Sequence, residues 1–343
     1  MRQGKIFAFG ELLWRLATTD QGLQAAGATL QMHPGGAEAN VAASLGLWQL
    51  PCSYFTCVPQ NELAQKALKV LQNAGVDTSP VLRQGDRMGL YFLLAANGLS
   101  TGQVVYDRKY SAFSQLAPGT IDWEQVLQDY TWFHWSAISP ALNAQVAAVC
   151  KEALTAARKL GLTISVDLNY RNRLWDYGKT PLEVMPELVA YCDVVMGNIW
   201  AAHTMLGTPL APGLSRQTSR EDYLAHAAQT AGVLQKTYLQ CRHVAFTFRF
   251  MDTPQHNLFY GSYHHGGQDF ASEQYETFEV LDRTGSGDAF MAGLLYGLYH
   301  QLDGQAIVDF ASAAAIQKLF VAGDFGQHTV SEIKASMATL WSS

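Results

Sequence analysis

Residues 282–299 read DRTGSGDAFMAGLLYGLY, a glycine-rich turn running directly into an apolar, small-residue helix pattern that carries Phe290, Ala292, Leu294, Leu295 and Leu298. Glycines at 285 and 287 let the backbone turn its N–H groups toward a ligand. The helix behind them aims the positive end of its dipole at the same spot. Phosphoryl transfer spreads negative charge over oxygens, and donors oriented in advance stabilise that charge. Asp288 stands in the first turn, where the dipole is expected to keep it ionised. A weak base suffices for a loose transfer, because the attacking hydroxyl loses its proton late. Taken alone, the same residues also describe an aspartate capping a helix after a tight turn, and both readings stay open on this motif.

Outward from this turn, short apolar runs alternate with helix-length segments. KIFAFG (5–10), SYFTCV (53–58), TWFHWSA (131–137), LTISVDL (162–168), CDVVMGN (192–198) and RHVAFTF (242–248) predict strands. Helices are predicted over 36–50, with Val41, Leu45 and Trp48 on one face, over 61–75 ending at Gly75, and over 141–160, 221–240 and 309–320. This rhythm is the signature of a mostly parallel sheet covered on both faces, an α/β fold. Residues 11–33 and 87–108 break the rhythm with strand-like patterns, and Asn97-Gly98 between two β-like runs signals a hairpin. They predict a small β-sheet lid over one end of a single domain spanning residues 1–343.

Composition bounds the partners. The chain has 343 residues, a net charge of −6, 48% hydrophobic and only 15% charged residues. A large core is expected, and a mildly acidic chain is poorly suited to nucleic acid or an anionic membrane. Five cysteines without a CxxC pair argue against a disulfide or zinc framework and for a reducing compartment, and no signal peptide or membrane span is legible, so a cytoplasmic location is expected. His264 and His265 are adjacent and would face opposite sides of a strand, which argues against a shared metal. WFHW (132–135) reads as buried strand, and Cys52 and Cys57 as core thiols.

DRTGSGDAF and GGAEANVAASLGLWQL (35–50) together resemble the two signatures of the ribokinase-like (PfkB) sugar kinases, in the right order and across essentially the whole chain. GLYF (89–92), VVYDR (104–108), DLNYRNRLW (167–175) and VAGDF (321–325) are similar to segments of 2-keto-3-deoxygluconate kinases. The resemblance implies a ribokinase-like three-layer sandwich and ATP-dependent phosphorylation of a primary alcohol on a small acid sugar. It implies Asp288 as the base, with Gly285, Ser286 and Gly287 as the anion hole. Gly35, Gly36, Asn40, Tyr91, Tyr106, Arg108 and Arg171 would bind sugar, and Asn198, Thr247, Ser312 and Gly323 the nucleotide. ATP and Mg²⁺ are the implied cofactors, a monovalent cation such as K⁺ being left open, and relatives clasp two lids in a homodimer.

The residues themselves support an acid sugar. A substrate carboxylate under a lid needs a charge-assisted partner, and arginine offers a planar fork. Arg108 lies on a predicted lid strand and Arg171 just past the carboxyl end of a core strand, where ligands bind in open α/β sheets. Fructokinase-like action on a neutral sugar is the alternative, and a sugar-binding protein without catalysis is a third reading. Two departures bear on the nucleotide side. The family's Asn-x-x-Glu is here Asn198-Ile199-Trp200-Ala201, without its carboxylate, and TFRF (247–250) replaces a glycine-bearing turn. Arg249 would either contact phosphate or face solvent.

Overall fold

Alternation along the strands decides which side of the sheet each residue faces. In Lys5–Phe9, Ile6 and Ala8 join one buried cluster and Phe7 and Phe9 another. Tyr130–Ser136 repeats the division, with Trp132 on the first side and Phe133 and Trp135 on the second. The sheet therefore has a core on each face, and each fully buried aromatic contributes about 2–3 kcal/mol by leaving water. The structure is a computed structural model and describes residues 3–18, 29–94 and 103–340.

The nine-stranded sheet begins with a parallel run ordered Cys52–Phe55, Lys5–Phe9, Tyr130–Ser136, Thr163–Asp167, Val194–Gly197 and His243–Phe250. Asn257–His265 continues it antiparallel, and Gln268–Ala271 and Tyr275–Thr277 pair with that strand. Helices Ala144–Lys159, Pro181–Val189, Ile199–Leu206 and Arg220–Thr237 pack in the Phe7 layer. Helices Ala37–Leu47, Glu62–Asn73, Ser286–Tyr299 and Gly304–Lys318 pack in the Ile6 layer. The result is the three-layer α/β sandwich expected.

Several local expectations change. The 53–58 run splits at Thr56, whose hydroxyl accepts the Leu12 amide. The 36–50 helix is not one-faced: Ala37–Leu47 is buried all round from Glu38 to Gly46, because its small residues admit close neighbours, and Trp48 lies past its end. The 141–160 stretch becomes a short turn of helix, Ile138–Ala141, followed by Ala144–Lys159 capped by Asn143. The helix expected over 309–320 starts earlier, at Gly304, and its small residues meet a neighbouring helix: a Cβ on Gly293 would lie 2.6 Å from Ala311 Cα. Glu62–Asn73 ends as read, with Gly75 at φ 86°. His264 is buried and His265 exposed, WFHW is buried strand, and all five cysteines are buried and unpaired.

A second, four-stranded sheet orders Leu30–Gly35, Leu13–Thr18, Gly89–Leu94 and Gln103–Asp107. Its outer pairs are antiparallel and its central pair parallel, with Arg15 opposite Tyr91. The strand-like stretches of 11–33 and 87–108 thus pair with one another, while 19–28 and 95–102, including the Asn97-Gly98 turn, lie outside the described residues. Among the described residues no helix is long and apolar enough to cross a membrane.

Candidate active site

The glycine-rich turn takes the conformation its sequence asks for. Gly285 has φ 83°, and a Cβ there would overlap the Asp324 carbonyl oxygen, so only glycine fits. Ser286 N donates to Arg283 O at 3.1 Å and Ala289 N to Gly285 O at 2.8 Å. The first-turn amides of Gly287 and Asp288 are left without a helical acceptor. A Cβ on Gly287 would meet nothing within 4 Å, and Gly285, Ser286, Gly287 and Asp288 all border open space. That space is a cleft of about 540 Å³.

Asp288 accepts a 2.6 Å hydrogen bond from Asn40 Nδ2, which the buried helix Ala37–Leu47 delivers. Its carboxyl does not stay as acidic as the dipole alone would make it. Burial and then the negative neighbour Asp167 push it up to about 7, against the pull of Asn40 and Arg171. Desolvation outweighs the first-turn effect, and Asp288 becomes a stronger base than expected. Asp167, at the carboxyl end of Thr163–Asp167, is likewise raised to about 7, chiefly by burial. Glu38 is raised to about 7 by burial, though Ser136 N (2.9 Å) and Ser136 Oγ (2.7 Å) both donate to it.

The four-stranded sheet supplies the other wall. Tyr91 and Tyr106 are cross-strand partners with ring centroids 6.3 Å apart, and both line the cleft. Tyr91 Oη donates to Asp324 Oδ2 at 3.1 Å. Arg108 Nε is held by Glu11 Oε2 at 2.6 Å, and Glu11 also accepts from Ser111 Oγ at 2.5 Å. The Nη groups of Arg108 make no hydrogen bond to the described residues and belong to a residue that lines the cleft. Arg171 is exposed, donates among the described residues only to its neighbour Tyr170 O at 3.0 Å, and also lines the cleft. Gly36 lines it too, with φ 144°, where a Cβ would overlap Glu11 O. Gly35 stands behind the wall, pressed against the Asp324 carboxylate.

On the opposite side, Asn198 lines the cleft while its side chain caps Ile199–Leu206 by accepting Ala201 N at 2.8 Å. Thr247 lines it with its hydroxyl 3.4 Å from Gly197 O. Ser312 and Gly323 are not brought to the cleft wall. Ser312 is fully buried in helix Gly304–Lys318 beside Gly261, and Gly323 N donates to Asp282 Oδ2 at 3.1 Å.

Some members of the site carried weak sequence signals. Arg249 lines the cleft with Nη1 3.5 Å from Ser286 Oγ, which places it beside the glycine-rich turn while it still faces solvent. Although exposed to cleft solvent, it is pushed down to about 10 by the surrounding protein and by Arg171 and Arg283. Arg283 also lines the cleft, anchored by His256 O at 2.6 Å. Beneath the loop, buried Arg15 bridges Asp282 Oδ2 (2.6 Å), Thr284 Oγ1 (3.1 Å) and Asp324 Oδ1, the last a 2.7 Å ion pair without hydrogen-bond alignment. Burial raises Asp324 to about 6 despite Arg15, whereas at Asp282 the hydrogen bond and charge of Arg15 overcome burial and the net shift is downward. VAGDF signalled Asp324 as part of a matched segment; an arginine in LWRLAT gave no such sign.

Helix-start amides, a buried carboxyl group and a cluster of arginines thus share one cleft. The pfkB family carbohydrate kinase profile matches residues 3–239 and 261–324. The chain belongs to the pfkB family of carbohydrate kinases. It is a sugar kinase, a phosphotransferase with an alcohol acceptor. It is 24% identical over 335 residues to a 2-dehydro-3-deoxygalactonokinase of Haloferax volcanii, covering 96% of this chain and 95% of that one. The crystal structure of 2-dehydro-3-deoxygluconokinase from Thermotoga maritima matches with a TM-score of 0.88 and 34% identity, covering 98% of this chain and 100% of that one. A fructokinase from Xylella fastidiosa with bound ATP shares the fold at 20% identity, TM-score 0.76, covering 99% of both chains.

Proposed function

We propose that this kinase transfers the terminal phosphoryl of ATP to the 6-hydroxyl of 2-keto-3-deoxygluconate, giving the 6-phosphate and ADP. One observation carries the acid-sugar reading: Arg108 and Arg171, neither with its Nη groups spent on a carboxylate among the described residues, open onto the same cleft as Asp288. Glu11 fixes the Arg108 guanidinium through Nε and leaves its outer edge for a carboxylate. Gly36 and Asn40 would take sugar hydroxyls, and Tyr91 and Tyr106 would flank the ring. Asp288 would accept the proton of the attacking hydroxyl as the bond to phosphorus forms, and the turn Gly285–Ser286–Gly287, through the free amides of Gly287 and Asp288, would hold the migrating group together with Arg249. Asn198 and Thr247 would lie along the nucleotide, with Ser312 and Gly323 supporting that side from behind.

The residues present fit Mg²⁺ held mainly by phosphates. Among the described residues no group of three His, Cys, Asp or Glu could hold a metal, yet Asp167 lines the cleft with its carboxyl bonded to one backbone amide, Asn169 N. Asp167 would receive the ion's waters in place of the carboxylate missing at position 201. Mg²⁺ supplies charge neutralisation on the phosphates.

The whole chain would act as one domain, with the four-stranded sheet as its lid. Met32 and Val105 expose 47% and 41% of their surface on that sheet, which favours a homodimer through the lid; a monomeric mass by light scattering would contradict it. Five unpaired buried thiols suit the cytoplasm. ADP release on a panel of 2-keto-3-deoxygluconate, its C4 epimer, fructose and ribose tests the substrate. Turnover of either acid sugar well above the neutral sugars is expected. Equal or better turnover of fructose or ribose would overturn the acid-sugar reading.

A further inference from the structure

Behind the glycine-rich turn a buried lysine ammonium sits among backbone carbonyls. The carbonyl oxygens of Val321 and Asp282 receive Lys318 Nζ at 2.8 and 3.5 Å. Lys318 is 1% exposed, and its Nζ makes no ion pair with a carboxylate among the described residues. It is the last residue of helix Gly304–Lys318, so its charge also faces that helix's terminal carbonyls. The next carbonyl, Leu319 O, accepts the amides of Leu281 and Asp282 at 2.9 and 3.1 Å, stitching the phosphate loop's approach to this helix end. The charged groups facing the ammonium are Asp282, Asp324, Asp288 and Arg15.

Backbone carbonyls gathered on a single positive charge are also how proteins hold K⁺. A dissociable monovalent ion does not fit here. The Lys318 side chain occupies the space, and a Cβ on Gly285 would already lie 3.4 Å from Lys318 Cε. We propose that Lys318 is a positioning residue acting as a built-in monovalent cation. It holds Asp282 and Val321 on either side of the loop, sets the Gly287 and Asp288 amides for phosphate, and frees the enzyme from any need for K⁺. This rests on the kinase reading of the same loop.

The test is kinetics and nucleotide binding in buffer whose only monovalent cation is tetramethylammonium, compared with the same buffer plus KCl or NH₄Cl. Wild-type kcat and the calorimetric affinity for ADP·Mg²⁺ should each change by less than about twofold. Stimulation of either by about tenfold or more would overturn the proposal. Nucleotide binding decides the cation question even if no sugar on the panel turns over, an outcome that would count against the kinase reading alone. Lys318→Gly should lose kcat by about 100-fold and recover part of it with NH₄⁺, K⁺ or methylammonium, a rescue that a purely structural lysine would not show. A folded Lys318→Gly enzyme with unchanged kcat would refute it, and should that variant fail to fold, the wild-type ion comparison decides between the two outcomes.

Discussion

The two ends of the cleft are built from different material. The end proposed for phosphate is main chain: the amides of Gly287 and Asp288, placed by one left-handed glycine and a helix start. The end proposed for sugar is side chain: Tyr91, Tyr106 and Arg108 from one sheet and Arg171 from the end of another. Main-chain donors follow the fold and cannot be changed by substitution without moving the backbone, whereas side-chain donors can be exchanged one at a time. The phosphate end should therefore define the reaction and the sugar end the substrate. Asp288 stands where they meet.

That division is sharpest at Asp288 itself. Asp288→Asn should lower kcat by about 1,000-fold or more while sugar affinity by calorimetry stays nearly constant. A kcat within tenfold of wild type would place the base elsewhere. At the sugar end, Arg171→Ala should cut kcat/KM for the acid sugar by about 100-fold and leave that for a neutral sugar unchanged. A uniform loss over both sugars would show that Arg171 serves the phosphate end instead.

A smaller effect tests the electrostatics. Because burial and Asp167 raise Asp288 to about 7, kcat should climb as pH rises through that value and level off above it. A profile flat down to about pH 5 would mean the carboxyl keeps its ordinary acidity. Stability should run the other way. Glu38, Asp167 and Asp288 have folded-state values raised to about 7, so their contribution is fully present below their ordinary range and is lost as pH rises through about 7. Glu38→Gln, away from the cleft wall, should flatten part of the decline in Tm between about pH 5 and pH 8. The smallest effect belongs to Ser286→Ala, which keeps its backbone amide and removes only a hydroxyl 3.5 Å from Arg249, and kcat should fall by less than about threefold.

The same contrast governs what is legible without coordinates. Strands such as Lys5–Phe9 and turns such as Gly285 are dictated locally, by apolar runs and by the steric demand on glycine, and the parallel sheet and the cradle can be read from them. The antiparallel strand Asn257–His265 escapes such a reading, because it is buried at all but its last residue and lacks the polar alternation that marks a sheet's edge. Arg15 and Lys318 escape it because each acquires meaning only when residues about 267 and 36 positions away arrive beside it. Arg108 is legible as a site residue, but its partner Glu11, 97 positions distant, is not. The helix dipole fails to set the acidity of Asp288 for the same reason, since the burial that raises it, and after that the Asp167 carboxylate, come from parts of the chain distant in sequence.

A crystal structure with a non-hydrolysable ATP analogue and 2-keto-3-deoxygluconate tests the central claim most directly. The terminal phosphate should accept hydrogen bonds from the Gly287 and Asp288 amides, with the sugar's 6-hydroxyl on the Asp288 carboxylate and its acid group between Arg108 and Arg171. A terminal phosphate seated away from those amides, or a sugar acid group turned away from both arginines, would contradict it.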